Sequence, residues 1–516
     1  MFTAPPAIVW FRRDLRLSDH PALCRAISEN AQIVPMFVFD SGILSHPLTG
    51  SGRVQYMIES LTDLDMSLRK CSGYLVTRRG VAHEEIARLC RETGATRVYY
   101  HVDTDRIYGR ERDAGLAAHL PHLELVPVAE GRGVFEGADA RAGWAAKWET
   151  ALRSPVLSAP ERVCVPANVA TLGVPTLAEL GLPPSAMHRV TPGGESWATV
   201  RLQTFLKRGG NVESYRRNVG DPRACERGLS SRLSAPLSFG CLSSRVVAQA
   251  SWAGQDAKPG CLHREQWHSR IVWRDHFTQK QRDWKEAQFE NINPVYDQIR
   301  QDLDTDLLEA WKAGRTGFPL VDASMRSLAE TGFLNFRMRA MVASVWSYHF
   351  WQPWQHGAEW FQKCLIDFDT GINSQQWQMQ SGTVGHHANR LYDPTKQFYE
   401  HDEHGLFVAA YVPELAGVPM PQRATPHLLS ATDRDRYGAS DYPAPLVDIA
   451  AASGRARAAF KTLAPAARAF LATDEGRRRA STERLAKGLP PRGLDVPAKP
   501  DPPRPQLSLF GGNEAG

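Results

Sequence analysis

The chain has 516 residues, about three times the length of a typical domain, so it predicts about two or three hydrophobic cores. Hydrophobic residues make up 42%, charged residues make up 23% and the mean hydropathy is −0.37, which excludes a collagen-like or wholly disordered chain. No apolar stretch approaches the roughly 18 residues that a membrane-spanning helix needs, and the first residues lack a signal-peptide pattern. We therefore expect a cytoplasmic, multidomain protein.

The cysteines and the charge exclude further classes. The eight cysteines contain no CxxC pair, so we expect reduced thiols and neither a disulfide framework nor a zinc site. The net charge is +5, and residues 451–516 alone contain twelve Lys and Arg against six Asp and Glu. The preceding residues are therefore close to neutral overall. A basic groove for nucleic acid, if the protein has one, must be local.

The first 130 residues alternate short apolar runs with helical patterns. Such βα units predict a doubly wound α/β domain with a parallel sheet that is covered on both faces. The strands are predicted at 7–11, 33–39, 74–79, 97–102 and 123–128. Residues 131–195 are rich in Ala, Gly and Pro without periodicity, which favours a long surface connection between two domains.

Helical patterns dominate residues 196–445 and predict an all-α second domain. Within 334–349 one buried stripe is predicted, formed by Leu334, Met338, Met341, Val342 and Val345. A second side carries small residues and one arginine, which favours packing against a neighbouring backbone or a ligand. This second side comprises Phe336, Arg339, Ala340 and Ala343.

The last seventy residues divide into two parts. Residues 446–488 are rich in Ala and Arg and predict a helical extension. Residues 489–516 predict a disordered tail, because seven prolines between 490 and 505 remove backbone donors and favour an extended chain.

The N-terminal run from Val9 to Leu23 reads VWFRRDLRLSDHPAL. On physical grounds it is a buried strand, a charged turn and a helix begun by Ser18 or Asp19, with Pro21 in its first turn. The run also resembles the cryptochrome/photolyase family, whose first strand and turn read W-F-R-x-D-L-R-x-x-D-N/H-P-A-L. The resemblance continues through 215–415. It implies an α/β domain that can carry an antenna chromophore, a folate or a deazaflavin, and a helical domain that encloses a U-shaped FAD.

The run Ser230-Ser231-Arg232-Leu233-Ser234 offers hydroxyl and backbone N–H groups, which suit either a phosphate cradle or an ordinary turn. The resemblance implies that it is the loop on the FAD phosphates, with Ser230 in place of the family's threonine. Tyr215 is assigned to the flavin site although its spacing to this loop is three residues longer than in the family. The FAD-binding residues implied are Tyr215, Ser230, Ser231, Arg232, Leu233, Ser234, Trp267, Arg270, Arg274, Arg339, Asp367, Asp369 and Asn373.

Asn373 falls where the family places the residue that faces flavin N5. An aspartate there is typical of plant cryptochromes and a cysteine is typical of animal ones. Asparagine is typical of photolyases, because it favours the fully reduced anionic flavin that repair requires. This residue therefore predicts repair.

Five tryptophans lie between residues 346 and 377, a clustering that usually means core packing. The resemblance implies that Trp377 and Trp354 are the proximal and middle members of the chain that photoreduces the flavin. Gln301 stands at the place of the distal tryptophan. Electrons must then leave through another residue, Tyr296 or Tyr348, or photoreduction is slow.

The lesion pocket departs from the family pattern. Trp273 is implied to stack on the flipped lesion, but Arg270 replaces a glutamate, Phe336 an asparagine, Ala340 a methionine and Met379 a second stacking tryptophan. Repair of (6-4) products is disfavoured, because the two histidines it needs align with Phe336 and Ala340. The lesion contacts implied are Arg270, Trp273, Phe336, Arg337 and Met379.

The tail carries a separate signal. Gln506, Leu507, Ser508, Leu509 and Phe510 resemble the QL(S/D)LF peptide by which bacterial repair and replication enzymes dock on the sliding clamp. A five-residue peptide can also match by chance. An apolar anchor in a disordered tail nevertheless has no packing role, which favours clamp binding.

We therefore predict a deoxyribodipyrimidine photo-lyase that repairs cyclobutane pyrimidine dimers by electron transfer from excited, reduced FAD. The catalytic residues expected are Asn373, Trp377, Trp354 and Trp273. We expect a monomer, associated with the nucleoid, that binds UV-damaged DNA and holds no metal. The alternative is a cryptochrome-like blue-light photosensor without repair activity. Asn373 and the tail favour repair, whereas the altered pocket favours the sensor.

Overall fold

The fold is taken from a computed structural model, which describes residues 5–103, 107–137, 140–185, 187, 191–385 and 390–482. The clamp-like peptide at 506–510 and the whole segment from 483 onward lie outside the described residues. Across the described ranges, no helix is long and apolar enough to cross a membrane.

A five-stranded parallel sheet forms the first half, as the alternation of strand and helix patterns predicted. Ile8 of the central strand pairs with Val34 on one side and with Val98 on the other. The spatial order is β3-β2-β1-β4-β5, which is the doubly wound arrangement with its switch point at β1. The strands are β1 (Ala7–Phe11), β2 (Ile33–Asp40), β3 (Val76–Gly80), β4 (Arg97–His101) and β5 (Glu124–Val128).

The sheet is buried on both faces because successive side chains of β1 point into two different cores. Val9 and Phe11 enter a core that continues into the helical half, whereas Ile8 and Trp10 enter a core closed by helices of the first half. The helices of this half are α1 (Pro21–Glu29), α2 (Ser41–Leu44), α3 (Ser51–Lys70), α4 (Ala82–Thr93) and α5 (Ile107–His119).

The start of α1 differs from the prediction of a Ser18 or Asp19 cap. His20 is the cap, and its Nδ1 accepts a hydrogen bond of 3.0 Å from the backbone N–H of Leu23. Asp19 has a positive φ of 51° and turns its carboxylate to the helical half. There it accepts hydrogen bonds from Ser243 at 2.6 Å and Arg245 at 3.1 Å, so contacts across the fold decide its conformation.

The predicted surface connection at 131–195 contains a helix, α6 (Trp144–Leu152). Trp144 and Trp148 are both buried, and the indole N–H of Trp148 donates to Asp275 at 2.9 Å. Part of this segment is therefore docked on the second half of the protein and does not merely cross its surface.

Helices and short turns make up the second half, as predicted. A π-helical turn spans Val345–His349, and 3₁₀ turns span Asn211–Ser214, Lys285–Gln288, Pro294–Gln298, Pro413–Leu415, Gln422–Ala424 and Pro426–Leu428. The first helices are α7 (Glu195–Leu206), α8 (Tyr215–Asn218), α9 (Ser234–Ser238), α10 (Ser244–Asp256), α11 (Leu262–Asp283), α12 (Thr305–Lys312), α13 (Pro319–Thr331) and α14 (Phe336–Ser344). The remaining ones are α15 (Trp354–Cys364), α16 (Thr370–Ser381), α17 (Pro394–His401), α18 (Leu406–Tyr411), α19 (Ala431–Arg436), α20 (Ile449–Leu471) and α21 (Asp474–Ala480).

Helix α14 explains both sides of the predicted 334–349 pattern. Asn335 caps it by accepting from the backbone N–H of Met338 at 2.9 Å, and the π-helical turn continues it. All five residues of the predicted stripe are buried. The stripe faces the core of the helical half, which leaves the second side of α14 for another contact.

Candidate functional site

A cavity of about 320 Å³ opens inside the helical half, between α11, α14, α16 and the segment that leads into α9. Helix α14 presents its second side to this cavity. Of the two predicted partners for that side, a neighbouring backbone or a ligand, the cavity favours a ligand. Ala340 and Ala343 leave space there because their side chains are single methyl groups. The residues of α14 that line the cavity are Phe336, Arg339, Ala340 and Ala343.

The one charged residue on this side of α14 is held by an ion pair. Nη2 of Arg339 lies 3.0 and 2.9 Å from the two carboxylate oxygens of Asp367, and its Nε donates to the carbonyl of Leu334 at 2.8 Å. Both partners line the cavity, and Asp367 is almost completely buried. A buried pair of this kind is costly unless further polar groups solvate it, so a polar ligand edge is a suitable third partner.

Helix α11 brings three of the predicted cofactor residues to the opposite wall. Trp267, Arg270 and Arg274 all line the cavity, since their spacing places them on one helical face. Arg274 is buried and donates to the carbonyl of Leu237 and to the carboxylate of Asp275, each at 2.9 Å. Arg270 is exposed and, like the exposed Phe336 of α14, lines the cavity.

Helix α16 supplies the third wall. Asp369 caps this helix, and one of its oxygens lies 3.8 Å from Arg274. The side-chain amide of Asn373 donates to the carbonyl of Ala358 at 3.1 Å, which fixes its orientation. The residues of α16 that line the cavity are Ile372, Asn373, Gln376, Trp377 and Gln380.

The serine-rich loop lies at the cavity only in part. Ser231, Leu233 and Ser234 line it, and the buried hydroxyl of Ser230 has no hydrogen-bond partner within the described ranges. Arg232 turns away: its φ is +57°, and its Nε donates to the carbonyl of Cys225 at 2.9 Å.

Tyr215 also lines the cavity, near Arg270, and burial raises its pKa. Its longer spacing to the serine-rich loop therefore does not remove it from the site. The short turn Asn211–Ser214 and helix α8 carry it to the cavity.

Three of the expected lesion contacts are not at the cavity. Trp273 is 43% exposed and packs on His276 and Phe277, with ring centroids 5.3 and 5.4 Å away. Met379 packs against a cluster that includes Trp284 and Leu471. Both residues point elsewhere because α11 and α16 present different faces to the cavity. Arg337 is partly exposed next to Phe336 but does not line the cavity.

Sequence reasoning missed two polar residues of the site, Gln376 and Gln380. The Oε1 atom of Gln376 and both amide atoms of Gln380 are buried without a hydrogen-bond partner in the described part of the chain, and so is the indole N–H of Trp377. The signal available in the sequence was helical spacing: Gln376, Trp377 and Gln380 follow Asn373 by three, four and seven residues, so they share its helical face. Unmet buried polar groups are rare in proteins, so these atoms fit a large polar ligand such as FAD.

Trp377 closes one end of the cavity. Its ring occupies the space beside Gly357, where a Cβ atom would lie 2.3 Å from it. Its centroid lies 6.2 Å from that of Trp311, and Trp311 lies 5.1 Å from Trp346. Trp311 was not anticipated, because it lies outside the tryptophan-rich stretch. These three rings form a continuous aromatic contact that leads away from the cavity.

The other residues considered for the electron route differ in burial: three are buried and one is exposed. Trp354 is buried, and its indole N–H donates to Asn291 at 2.8 Å. Gln301 is exposed and donates to the carbonyl of Asp297. Tyr296 and Tyr348 are both buried against Phe460 of α20, with ring centroids 5.1 and 5.4 Å away from it.

A second cavity of about 420 Å³ lies at the carboxyl ends of β1 and β2, where doubly wound sheets bind ligands. The guanidinium groups of Arg12 and Arg112 lie 4.6 and 4.7 Å from the ring centroid of Trp10. Tyr108 donates to Asp40 at 2.8 Å. The other oxygen of Asp40 and Nε of Arg112 are buried without hydrogen-bond partners among the residues described.

Comparison with known proteins agrees with this architecture. The family model for the FAD binding domain of DNA photolyase matches residues 267–462, and the DNA photolyase model matches residues 7–132. The chain is 31% identical to a deoxyribodipyrimidine photo-lyase of Streptomyces griseus, over 87% of this chain and 98% of the relative. It is also 31% identical to a cryptochrome DASH of Gloeobacter violaceus, over 86% of this chain and 93% of that protein.

A solved structure is similar over the same span. The crystal structure of a class III photolyase from Agrobacterium tumefaciens superposes with a TM-score of 0.79 and 26% identity, covering 90% of this chain and 98% of that one. The first half matches the DNA photolyase model, and the helical half, which contains the larger part of the cavity lining, is an FAD-binding domain. The chain therefore belongs to the photolyase/cryptochrome family.

Proposed function

We propose that this protein repairs cyclobutane pyrimidine dimers in DNA under blue light. The observation that carries the proposal is Asn373, a neutral amide held in the wall of the FAD cavity by the carbonyl of Ala358. An amide cannot give up a proton as an aspartic acid can, so it leaves the negative charge of a reduced flavin in place. Retained negative charge favours a strong electron donor, which repair requires and light sensing does not.

FAD, when bound, supplies the light-driven electron transfer, and the chain supplies binding and orientation. Arg339 and Asp367 offer a charged edge, Arg274 a buried cation and Ser231 and Ser234 hydroxyl groups for its polar groups. Aromatic and aliphatic side chains around them exclude water from the ring. Trp377 closes the far end and connects the cavity to further aromatic rings.

The mouth of the cavity suits a pyrimidine dimer that is flipped out of the DNA helix. Phe336 offers an exposed aromatic face and Arg270 a cation, and both lie at the rim. Stacking on such a face is worth about 1–3 kcal/mol per base, and a damaged pair costs little to flip. Arginine donates hydrogen bonds and accepts none, so it would contact lesion carbonyls or a phosphate, where a glutamate would accept from ring N–H groups.

The competing function is light sensing, because the cavity rim departs from the family pattern and several relatives are named cryptochrome DASH. Asn373→Asp separates the two functions. If the protein is a repair enzyme, wild type repairs dimers after chemical reduction, and Asn373→Asp loses at least tenfold in repair per absorbed photon while keeping FAD. Equal repair by both proteins would remove the argument from Asn373, and no repair by either would favour the sensor.

We also propose that the second cavity binds an antenna chromophore with a flat ring system. Trp10 lines this cavity with the guanidinium groups of Arg12 and Arg112 near its ring, and Asp40 and Arg112 carry buried polar atoms without hydrogen-bond partners among the described residues. Purified protein should then show an absorbance band in addition to FAD. Asp40→Ala with Arg112→Leu should remove that band and leave FAD at full occupancy. An unchanged band would place the chromophore elsewhere.

For the tail we propose docking on a bacterial sliding clamp through Gln506, Leu507, Ser508, Leu509 and Phe510. A proline-rich linker in the extended conformation spans about 3.1 Å per residue, so in this proposal the stretch before the peptide holds the catalytic body clear of the ring. Immobilised clamp should retain wild type but not Leu509→Ala with Phe510→Ala, and repair in solution should be the same for both. Equal retention of the two proteins would return the peptide to a chance match.

A further inference from the structure

Gln380 is the buried polar group of the cavity that nothing so far explains. It lies on α16, seven residues after Asn373, and its side chain is 2% exposed. Both its amide nitrogen and its amide oxygen are buried, and neither meets a hydrogen-bond partner in the described ranges. The residue lines the cavity, so its amide borders the space that a ligand fills.

The facing wall offers this amide no hydrogen-bond partner among the described residues. Helix α14 packs against α16, and three of the side chains it presents to the cavity, Phe336, Ala340 and Ala343, carry no polar atom. The fourth, Arg339, hydrogen-bonds to Asp367 and to the carbonyl of Leu334. A buried amide left without partners costs free energy, which selects for a ligand that restores them. Gln376, one turn earlier on the same wall, adds a second unmet oxygen.

A primary amide carries one acceptor and two donor hydrogens side by side. Its complement is a ring edge with an N–H beside a carbonyl. That edge is the imide of a pyrimidine ring, and it occurs both in a thymine of a dimer and in the isoalloxazine of FAD. A phosphate has no donor and cannot match both halves of the amide.

We infer that Gln380 is a specificity-determining residue whose amide binds the imide edge of a pyrimidine ring in this cavity. Arg270 at the rim cannot accept from a ring N–H, so Gln380 supplies the acceptor that the rim lacks. If the ring belongs to the dimer, this inference rests on the proposed repair function. If the ring belongs to FAD, the inference does not depend on that function.

The test removes the imide proton from each ring in turn. Full-length protein is offered a thymine dimer or an N3-methylated thymine dimer in otherwise identical oligonucleotides. The apoprotein is separately offered FAD or N3-methylated FAD. Each pair is compared in wild type and in Gln380→Leu, which keeps the volume but has no amide. Gln375→Leu is the matched control, because Gln375 is equally buried on the same helix with unmet amide atoms but does not line the cavity.

We expect wild type to bind one of the two natural rings about tenfold or more tightly than its methylated form. Gln380→Leu should lose that preference, and Gln375→Leu should keep it. Loss of preference for the dimer assigns Gln380 to the lesion, and loss of preference for FAD assigns it to the flavin. The thermal midpoint of apoprotein should not fall in Gln380→Leu, because the amide has no hydrogen bond to lose within the described part of the chain.

Preferences that are the same in wild type and Gln380→Leu, or absent in both, would overturn the inference. If wild type binds no dimer at all, the proposed function fails, and the FAD comparison still decides the role of Gln380.

Discussion

Arg13 and Asp369 join the two halves of the protein directly at the FAD site. Nη2 of Arg13, which follows β1, lies 3.0 Å from Oδ2 of Asp369, the cap of α16, and Nε of Arg13 donates to the carbonyl of Ser238 at 2.9 Å. Ser238 and Asp369 both line the cavity. The first half therefore supports the cofactor site as well as the second cavity.

Arg13→Ala should weaken FAD binding about tenfold and lower the free energy of unfolding by about 1–3 kcal/mol, because it removes one donor from the buried carboxylate of Asp369 and one from the buried carbonyl of Ser238. Arg25→Ala is the control: its pair with Glu29 is exposed and screened by solvent, so losing it should leave the free energy of unfolding almost unchanged. FAD titration and denaturant unfolding measure both effects. Equal values for the two variants would contradict the role of Arg13.

Arg339→Ala or Asp367→Ala should produce protein that purifies without its yellow colour. Each change strands one charge of the cavity ion pair, at a cost of about 3–5 kcal/mol, with the lower end expected because Arg339 is partly exposed. Arg339→Lys should fall between wild type and alanine, since lysine keeps the charge but loses the Nε hydrogen bond to the carbonyl of Leu334. FAD per chain, read from the absorbance spectrum, is the measurement. Full occupancy in either alanine variant would contradict the assignment.

Trp377→Phe should block photoreduction of oxidised protein and leave repair by chemically reduced protein intact. The reason is that Trp377 connects the cavity to the aromatic rings beyond it and lies apart from the exposed rim. Trp311→Phe should slow photoreduction by a smaller factor, because it interrupts the contact that continues to Trp346. Trp252→Phe is the control, because Trp252 packs beside Trp148 and does not line the cavity. An unchanged rate in Trp377→Phe would mean that electrons enter elsewhere.

Acid should destabilise the first half through His20. Burial and the neighbouring His101 lower the pKa of His20 to about 4, whereas in the unfolded chain it titrates near 6.5. Protons therefore bind the unfolded chain preferentially between these values. The stabilisation is complete above pH 6.5 and is lost as the pH falls from 6.5 towards 4, by up to about 3 kcal/mol.

His20→Asn should reduce this acid sensitivity, because asparagine can still cap α1 and does not titrate. Both histidine rings are held by backbone N–H groups: His20 accepts from Leu23 and His101 accepts from Ala22, so each turns its other nitrogen to Asp14. The free energy of unfolding at pH 7 and at pH 4.5 is the measurement. The same loss in wild type and His20→Asn would assign the effect to another group, such as His349, whose pKa is also about 4.

The sequence predicted the features that periodicity controls. Strands β1 and β2 are buried along their whole length, so each stood out as an apolar run, and the two sides of α14 followed from its spacing. The sequence did not predict which face of a helix each motif residue occupies. Trp273 and Met379 stand at positions where the family contacts the lesion, yet α11 and α16 turn both side chains away from the cavity. Gln380 resembles a surface residue in the sequence, yet it is buried where α14 packs against α16, and Gln376 on the same wall is partly buried.

The most direct test of the repair proposal is illumination of purified, chemically reduced protein with an oligonucleotide that contains a cyclobutane thymine dimer. Splitting of the dimer restores the thymine absorbance, so the absorbance near the thymine band is followed under blue light and in the dark. We predict recovery in the light, in proportion to photons absorbed, and none in the dark. No recovery by reduced, FAD-loaded protein, with either single- or double-stranded DNA, would contradict the proposal.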